Sequence, residues 1–359
     1  MQEQSWWKIT KTEGIALFCI IAVGFSFFLY KTSTHHLDRN SDYLQYIETA
    51  KFFGGDLTAE QSPSRILKPL APAFVTFLSP DGDVEGGFLI QMLFFYVLLV
   101  LVSYLFFRTF FNGSLFAALS ATALFSLSYP MLRYGLDFYT ETGALFFYVA
   151  GLLATLLFIR TPKLSLVIIN AVIAGVGFLV KEYSIVHLII FNVIIIFYPR
   201  TALSVKEKIK YLIYGNGVWV VLTALWQLYV WSTYHYTYLD WYLNGGLPYF
   251  YNEGRTYMIT KSFFALLMIG WFAIPFAYRT IREQNYLTKL FLFLAASVPF
   301  LALVWGAISS RLFYVFVPAL AILCVWGIER LTMKNSVRVF LVVCILISHI
   351  VWLLNQLFV

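Results

Sequence analysis

Apolar runs of 16 to 22 residues recur along this entire 359-residue chain, more than a water-soluble core can enclose. A helix needs about 20 such residues to cross a hydrocarbon layer roughly 30 Å thick. The runs are continuous rather than alternating, which excludes a transmembrane β-barrel. With 60% hydrophobic and 12% charged residues, the chain reads as an all-α polytopic transmembrane bundle, one domain over residues 1–359. The pattern predicts about eleven spans: 14–30, 87–109, 114–131, 141–159, 164–180, 183–198, 211–232, 260–278, 289–307, 312–330 and 337–357. Residues 164–198 would form a helix about 52 Å long, too much for one crossing, so a turn is expected at Lys181-Glu182.

Charge fixes the expected orientation. With the N-terminus in the cytoplasm, Arg160 and Lys163, Arg200 to Lys210, Arg279 to Lys289, and Arg330 to Arg338 all fall in inner loops beside span ends. On that threading only Glu3, Glu13, Glu207, Glu283 and Glu329, of 18 acidic side chains, face inward. Chemistry by carboxylates is therefore expected on the extracytoplasmic side of the plasma membrane. The net charge of +7 reflects these inner loops and not a nucleic-acid surface. Cys19, Cys324 and Cys344 lie inside predicted spans and suggest neither a disulfide framework nor a zinc site. The first run follows Lys8 and Lys11 without a small-residue cleavage site, so an uncleaved anchor is expected.

Two segments are not spans. Residues 31–86 form a predicted extracytoplasmic loop, too long for a connector and too apolar for disorder. Within it, Tyr43, Tyr46, Ile47, Ala50 and Phe53 share one helical face, opposite Gln45, Glu48 and Thr49. This predicts an interfacial amphipathic helix, capped by Asn40 or Ser41 and ended by Gly54-Gly55. A second interfacial helix is expected after Pro69, running to Leu78. Residues 233–257, rich in tyrosine, read as another outer loop with its rings at headgroup level.

The ionisable residues of these outer segments are the candidates for chemistry. Asp42 falls in the first turn of the interfacial helix, where an acid either complements the helix dipole or acts as a base. Asp38 lies one turn upstream and is expected to face solvent. Arg65 and Lys68 could snorkel to lipid headgroups or grip a phosphate, for which arginine offers a two-pronged donor. Asp137 and Glu141 have i,i+4 spacing, and Glu141 heads an apolar run where it needs a partner. Lys181, Glu182 and Arg311 also sit at outer span ends, the first two as an ion pair or as part of a site. His35, His36 and Asp38 have poor spacing for a metal; Asp42 and Glu141 together could hold a divalent ion, although nothing in the spacing requires one.

One span, a long outer loop opening on an aspartate, and Asn40-Ser41-Asp42-Tyr43-x-x-Tyr46-x-x-x-Ala50 together resemble the GT-C superfamily of membrane glycosyltransferases. Arg65 to Pro72 resembles that family's stretch leading to a second interfacial helix. Asp137 to Glu141, Lys181-Glu182-Tyr183 and Arg311 to Pro318 stand where related proteins carry acidic, basic-acidic and arginine motifs. The resemblance implies sugar transfer from a polyprenyl-phosphate donor to a glycan, lipid or protein acceptor, with Asp42 as general base and Glu141 as a second catalytic acid residue. Arg65, Lys68, Lys181 and Arg311 would bind the donor phosphate, with Asp38, Asp137 and Glu182 as further pocket residues and no cofactor beyond the lipid-linked sugar itself. Asn40-Ser41-Asp42 departs from the paired acids common in the family, which weakens any metal role. The alternative reading is a transporter or lipid flippase, but those show paired repeats and mid-membrane charges, whereas here the charges gather at span ends.

Overall fold

Thr10 starts the first helix with a reciprocal cap. Its hydroxyl accepts from the Glu13 amide at 3.3 Å, and the Glu13 carboxylate accepts from the Thr10 amide at 2.5 Å. The computed structural model describes residues 9–39, 41–79, 81–138, 140–249, 254–304, 310–331 and 334–358. Asn40, one of the two expected caps, lies outside them, as do Tyr139 and Glu253. All regular structure among the described residues is helical.

Helix α1 (Lys11–Ser33) leads into the first loop, which carries α2 (Ser41–Phe53), α3 (Pro63–Ile66) and α4 (Leu70–Leu78). Next come α5 (Val84–Phe110), α6 (Leu115–Ser126), a π-helical turn at Met131–Gly135, α7 (Glu141–Arg160), α8 (Leu164–Val180) and α9 (Val186–Phe197). Helix α10 (Val205–Tyr234) is followed by α11 (Tyr238–Trp241), α12 (Arg255–Leu267), α13 (Tyr278–Glu283) and α14 (Tyr286–Ser297). The chain closes with α15 (Val317–Arg330) and α16 (Asn335–Phe358).

Seven helical stretches among the described residues are long and apolar enough to span a membrane: α1, α5, α7, α10, Arg255–Glu283, Arg311–Arg330 and α16 up to Leu357. The other four expected spans coincide with shorter apolar helices. Helix α6 ends at Ser126, short of the predicted residue 131, because Pro130 cannot continue an α-helix and the backbone reforms as the π turn. Helix α8 stops at Val180 where expected, and Lys181 turns to extended backbone. Tighter 3₁₀ turns interrupt the later stretches at Met268–Ala277, which contains Pro275, and at Val298–Val304 and Ser310–Phe316.

The bundle is held by aromatic packing. Phe106, Phe107 and Phe110 of α5 meet Phe125 of α6, Phe291 of α14 and Trp326 of α15. Helix α15 lies so close to the 268–277 turn that a methyl group on Gly327 would overlap the Ala273 carbonyl oxygen.

Both helices expected within residues 31–86 form, each within a residue or two of its expected bounds. Tyr43, Tyr46, Ile47 and Ala50 of α2 are buried against Val75 of α4, Phe88 of α5 and Phe138. Phe53 is half-buried, its ring 6.2 Å from that of Trp226. Thr49, expected on the exposed face, is buried instead; its hydroxyl donates to the Gln45 carbonyl at 2.7 Å, so no polar group is left unpaired. Gly55 ends the helix at φ 101°, a value that suits glycine.

Candidate active site

Because α2 buries its tyrosine face, Asp42 in its first turn is turned toward Arg65 of α3 and Arg311, 269 residues away in sequence. Arg65 Nη2 donates to Asp42 Oδ1 at 2.5 Å, and Arg311 Nη2 donates to Asp42 Oδ2 at 2.6 Å. Each carboxylate oxygen thus has its own guanidinium. Burial alone would raise the Asp42 pKa, but Arg65, Arg311 and then Lys181 hold it well below the usual carboxylate range.

Arg65 is itself fixed from three sides. Its Nε donates to Gln45 Oε1 at 3.0 Å, its Nη1 donates to the Tyr46 hydroxyl at 3.3 Å, and its guanidinium lies 4.6 Å over the Tyr46 ring. Tyr46 also meets the Thr140 hydroxyl at 3.2 Å, joining α2 to the start of α7. Burial would raise the Tyr46 phenol, yet Lys181, Arg65 and Lys68 bring it below its ordinary value.

A second set of pairs lies beneath. Lys181 Nζ donates to Glu141 Oε1 at 2.5 Å, with the two side chains 8% and 0% exposed. Arg311 Nε stands 3.9 Å from the same Glu141 oxygen, so one guanidinium bridges Asp42 and Glu141. Lys68 Nζ is 3.1 Å from Glu182 Oε2 and 3.6 Å from the centre of the Trp241 ring. Burial depresses the Lys68 pKa against the pull of Glu182 and Tyr46.

Asp42, Arg65, Lys68, Lys181, Glu182 and Arg311 are among the residues that line a cavity of about 720 Å³. Tyr236, Trp241 and Tyr242, between α10 and α12, add aromatic rings to the lining. Its apolar lining includes Ile185, Ile189, Leu301, Val304 and Leu312. Ile189, Leu301 and Val304 are exposed. The cavity therefore combines four cations, two carboxylates, aromatic rings and an oily flank, which suits an amphiphile bearing a phosphate and a polar head.

Three sequence-derived candidates do not line this cavity. Glu141 is fully buried behind Lys181 and Arg311, with Oε2 making no hydrogen bond among the described residues. Asp137 is fully buried too, 2.6 Å from Lys31 Nζ, because α1 carries that lysine to the end of the π turn. Asp38, expected in solvent, is half-buried, and its amide donates to Asp137 Oδ1 at 2.8 Å. Conversely, sequence reasoning did not single out Gln45, Tyr46 as a site residue, or Trp241. Only Tyr46 carried a signal, standing one helical turn after Asp42.

No three His, Cys, Asp or Glu side chains converge on one point among the described residues. Asp42 and Glu141 are linked through Arg311, so the position a divalent ion would need is claimed by a guanidinium and the pair does not fit a metal.

The Lys181–Glu141 pair carries a stability prediction. Replacing Lys181 with Met would strand a fully buried carboxylate, leaving, among the described residues, Arg311 at 3.9 Å as its remaining cation. The expected cost is about 3–5 kcal/mol, read as a lowered unfolding temperature in detergent, with partial restoration by Lys181→Met/Glu141→Leu.

No protein-family model and no curated protein matches the chain. Solved structures do. The chain overlays over 96% of its length on ArnT from Cupriavidus metallidurans bound to undecaprenyl phosphate, with a TM-score of 0.59, 15% identity and 71% of that chain covered. It overlays over 95% of its length on the oligosaccharyltransferase AglB from Archaeoglobus fulgidus in complex with an inhibitory peptide and a dolichol-phosphate, with a TM-score of 0.56 and 11% identity. The Archaeoglobus fulgidus oligosaccharyltransferase complex with Zn and sulfate gives a TM-score of 0.53 at 14% identity. The chain spans 55% and 51% of those two archaeal chains. At such identities the likeness is one of fold alone, a bundle of apolar helices with the same course.

Proposed function

We propose that the chain is a membrane glycosyltransferase that moves a sugar from a polyprenyl-phosphate donor to an acceptor hydroxyl or amide on the extracytoplasmic side of the plasma membrane. The observation that carries this reading is the convergence of Asp42 with Arg65, Lys68, Lys181 and Arg311 on one cavity with an apolar flank. The fold shared with an oligosaccharyltransferase and with a protein bound to undecaprenyl phosphate supports it.

The chemistry follows from the residues. Asp42 takes the proton of the acceptor nucleophile, which attacks the anomeric carbon as the bond to the phosphate oxygen breaks. A phosphate leaves as a stable anion and needs no protonation, unlike the sugar alcohol of a glycoside hydrolase, so one base and a set of cations suffice. Arg65, Lys68 and Arg311 hold the phosphate and offset the charge it gains. Direct displacement inverts the anomeric centre. The rings of Tyr236, Trp241 and Tyr242 offer their faces to the sugar, and the lipid tail lies along Ile189, Leu301 and Val304. Glu141 acts by fixing Lys181 and Arg311 and not by touching substrate.

Two guanidiniums make Asp42 a weak base before the donor arrives. A donor phosphate that attracts Arg65 and Arg311 would release Asp42 and restore its basicity. Asp42 remains a carboxylate down to below the ordinary aspartate range, so kcat/KM should show no acid limb from it above pH ~4. An acid limb near pH 6 that vanishes in Asp42→Asn would contradict the double clamp.

Mass spectrometry of lipids that co-purify with the protein tests the reading, followed by transfer of a radiolabelled sugar from a synthetic polyprenyl-phosphate donor. An isoprenoid phosphate that binds and yields a glycosylated product is the expected result. Transport of the intact lipid between leaflets without breaking the sugar–phosphate bond would replace the enzyme with a flippase.

A further inference from the structure

Lys31 and Asp137 form an ion pair fully excluded from solvent, 2.6 Å apart, at the extracytoplasmic end expected for α1. Such pairs seldom raise net stability over well-packed apolar residues, and their best-attested use is to fix one arrangement of the chain. Every partner here serves that use. Lys31 Nζ also donates to the Arg133 carbonyl at 2.8 Å and the Leu136 carbonyl at 3.0 Å, tying α1 to the π turn. Asp137 Oδ1 accepts from the Phe138 amide at 2.8 Å and from the Asp38 amide at 2.8 Å. The only other charged side chain paired with Asp137 among the described residues is Arg133, 3.4 Å from Oδ2.

The two amides belong to the segments that lead into the site. Asp38 stands four residues before Asp42, just ahead of α2, and Asp137 stands four residues before Glu141, just ahead of α7. Arg311 then spans Asp42 and Glu141 at the far ends of both segments. These two lead-in segments are therefore joined by Asp137 at one end and by Arg311 at the other, with Arg39 lying over the Phe138 ring between them.

We propose that Asp137, through the two backbone amides its Oδ1 accepts from, is a positioning residue that sets the separation of Asp42 from the Glu141–Lys181–Arg311 group and thereby the turnover rate. The inference rests on the transferase reading for its kinetic consequence and on hydrogen bonding alone for its structural one. An asparagine at 137 can still accept from both amides through Oδ1, whereas alanine cannot, so two charge-neutral double variants separate the tether from the ion pair.

K31M/D137N is expected to keep kcat within about threefold of the unaltered chain. K31M/D137A is expected to lose at least about 30-fold in kcat, with donor KM within about twofold and a similar unfolding temperature. Amide hydrogen exchange supplies a readout independent of activity: residues 38–46 and 137–145 should exchange faster in K31M/D137A and stay protected in K31M/D137N. Equal kcat and equal exchange in the two variants would overturn the tether. A K31M/D137A protein that fails to fold, while K31M/D137N folds, would make Asp137 structural and overturn the positioning role. Should the unaltered chain transfer no sugar, the transferase reading falls, and the exchange comparison still decides the tether.

Discussion

Asp42→Asn is expected to lower sugar transfer by about 10²–10⁴-fold while the protein keeps its fold. Asparagine is the same size and can still accept from one arginine, but it cannot take a proton. The same substitution should tighten polyprenyl-phosphate binding by about tenfold. In the unaltered chain a phosphate must draw Arg65 and Arg311 from Asp42, at 2.5 and 2.6 Å, before it can use them. Without the carboxylate neither guanidinium is held by a negative charge at position 42, and the repulsion between that charge and the phosphate is gone. Titration of undecaprenyl phosphate into the purified variant reads the affinity, and Glu48→Gln, which removes a carboxylate paired with Lys51, controls for charge at a distance. A variant with full turnover would remove Asp42 from the mechanism. One with lost turnover and unchanged affinity would keep the base and discard the competition between carboxylate and phosphate.

What the sequence discloses depends on the range of the interaction. The α2 helix was readable because Tyr43, Tyr46, Ile47 and Ala50 recur at helical spacing within ten residues, and the break at Lys181 because two charges are costly in hydrocarbon. The π turn after Pro130 and the 3₁₀ stretch at 268–277 were not readable, since their apolar composition matches that of a continuous helix. Asp137 shows a related limit. Acid spacing suggested a shared face with Glu141, but Lys31, 106 residues away, determines where its side chain goes. Thr49 shows the same limit on a smaller scale, since a hydroxyl that bonds its own helix can be buried where its polarity predicts exposure. The pairing of Arg311 with Asp42 could be suspected from their shared expected side of the membrane, but only the folding of 269 intervening residues brings them to 2.6 Å.

Arg311→Ala should weaken polyprenyl-phosphate binding by about 10- to 100-fold, the range expected on losing a charged hydrogen-bond donor worth about 1.5–3 kcal/mol. It should also lower kcat, because Arg311 is the one side chain among the described residues that contacts both Asp42 and Glu141. Arg311→Lys separates these effects. An ammonium keeps the positive charge, so much of the phosphate affinity should remain, but it lacks the planar fork that reaches two carboxylates at once, so turnover should stay low. Arg65 cannot compensate, since Gln45 and Tyr46 already fix its guanidinium on the α2 side of the cavity. Lys181 cannot move across either without abandoning the buried Glu141 carboxylate 2.5 Å away. Binding of undecaprenyl phosphate and single-turnover transfer, measured for both variants, check the split; wild-type affinity in Arg311→Ala would confine this residue to holding the bundle together.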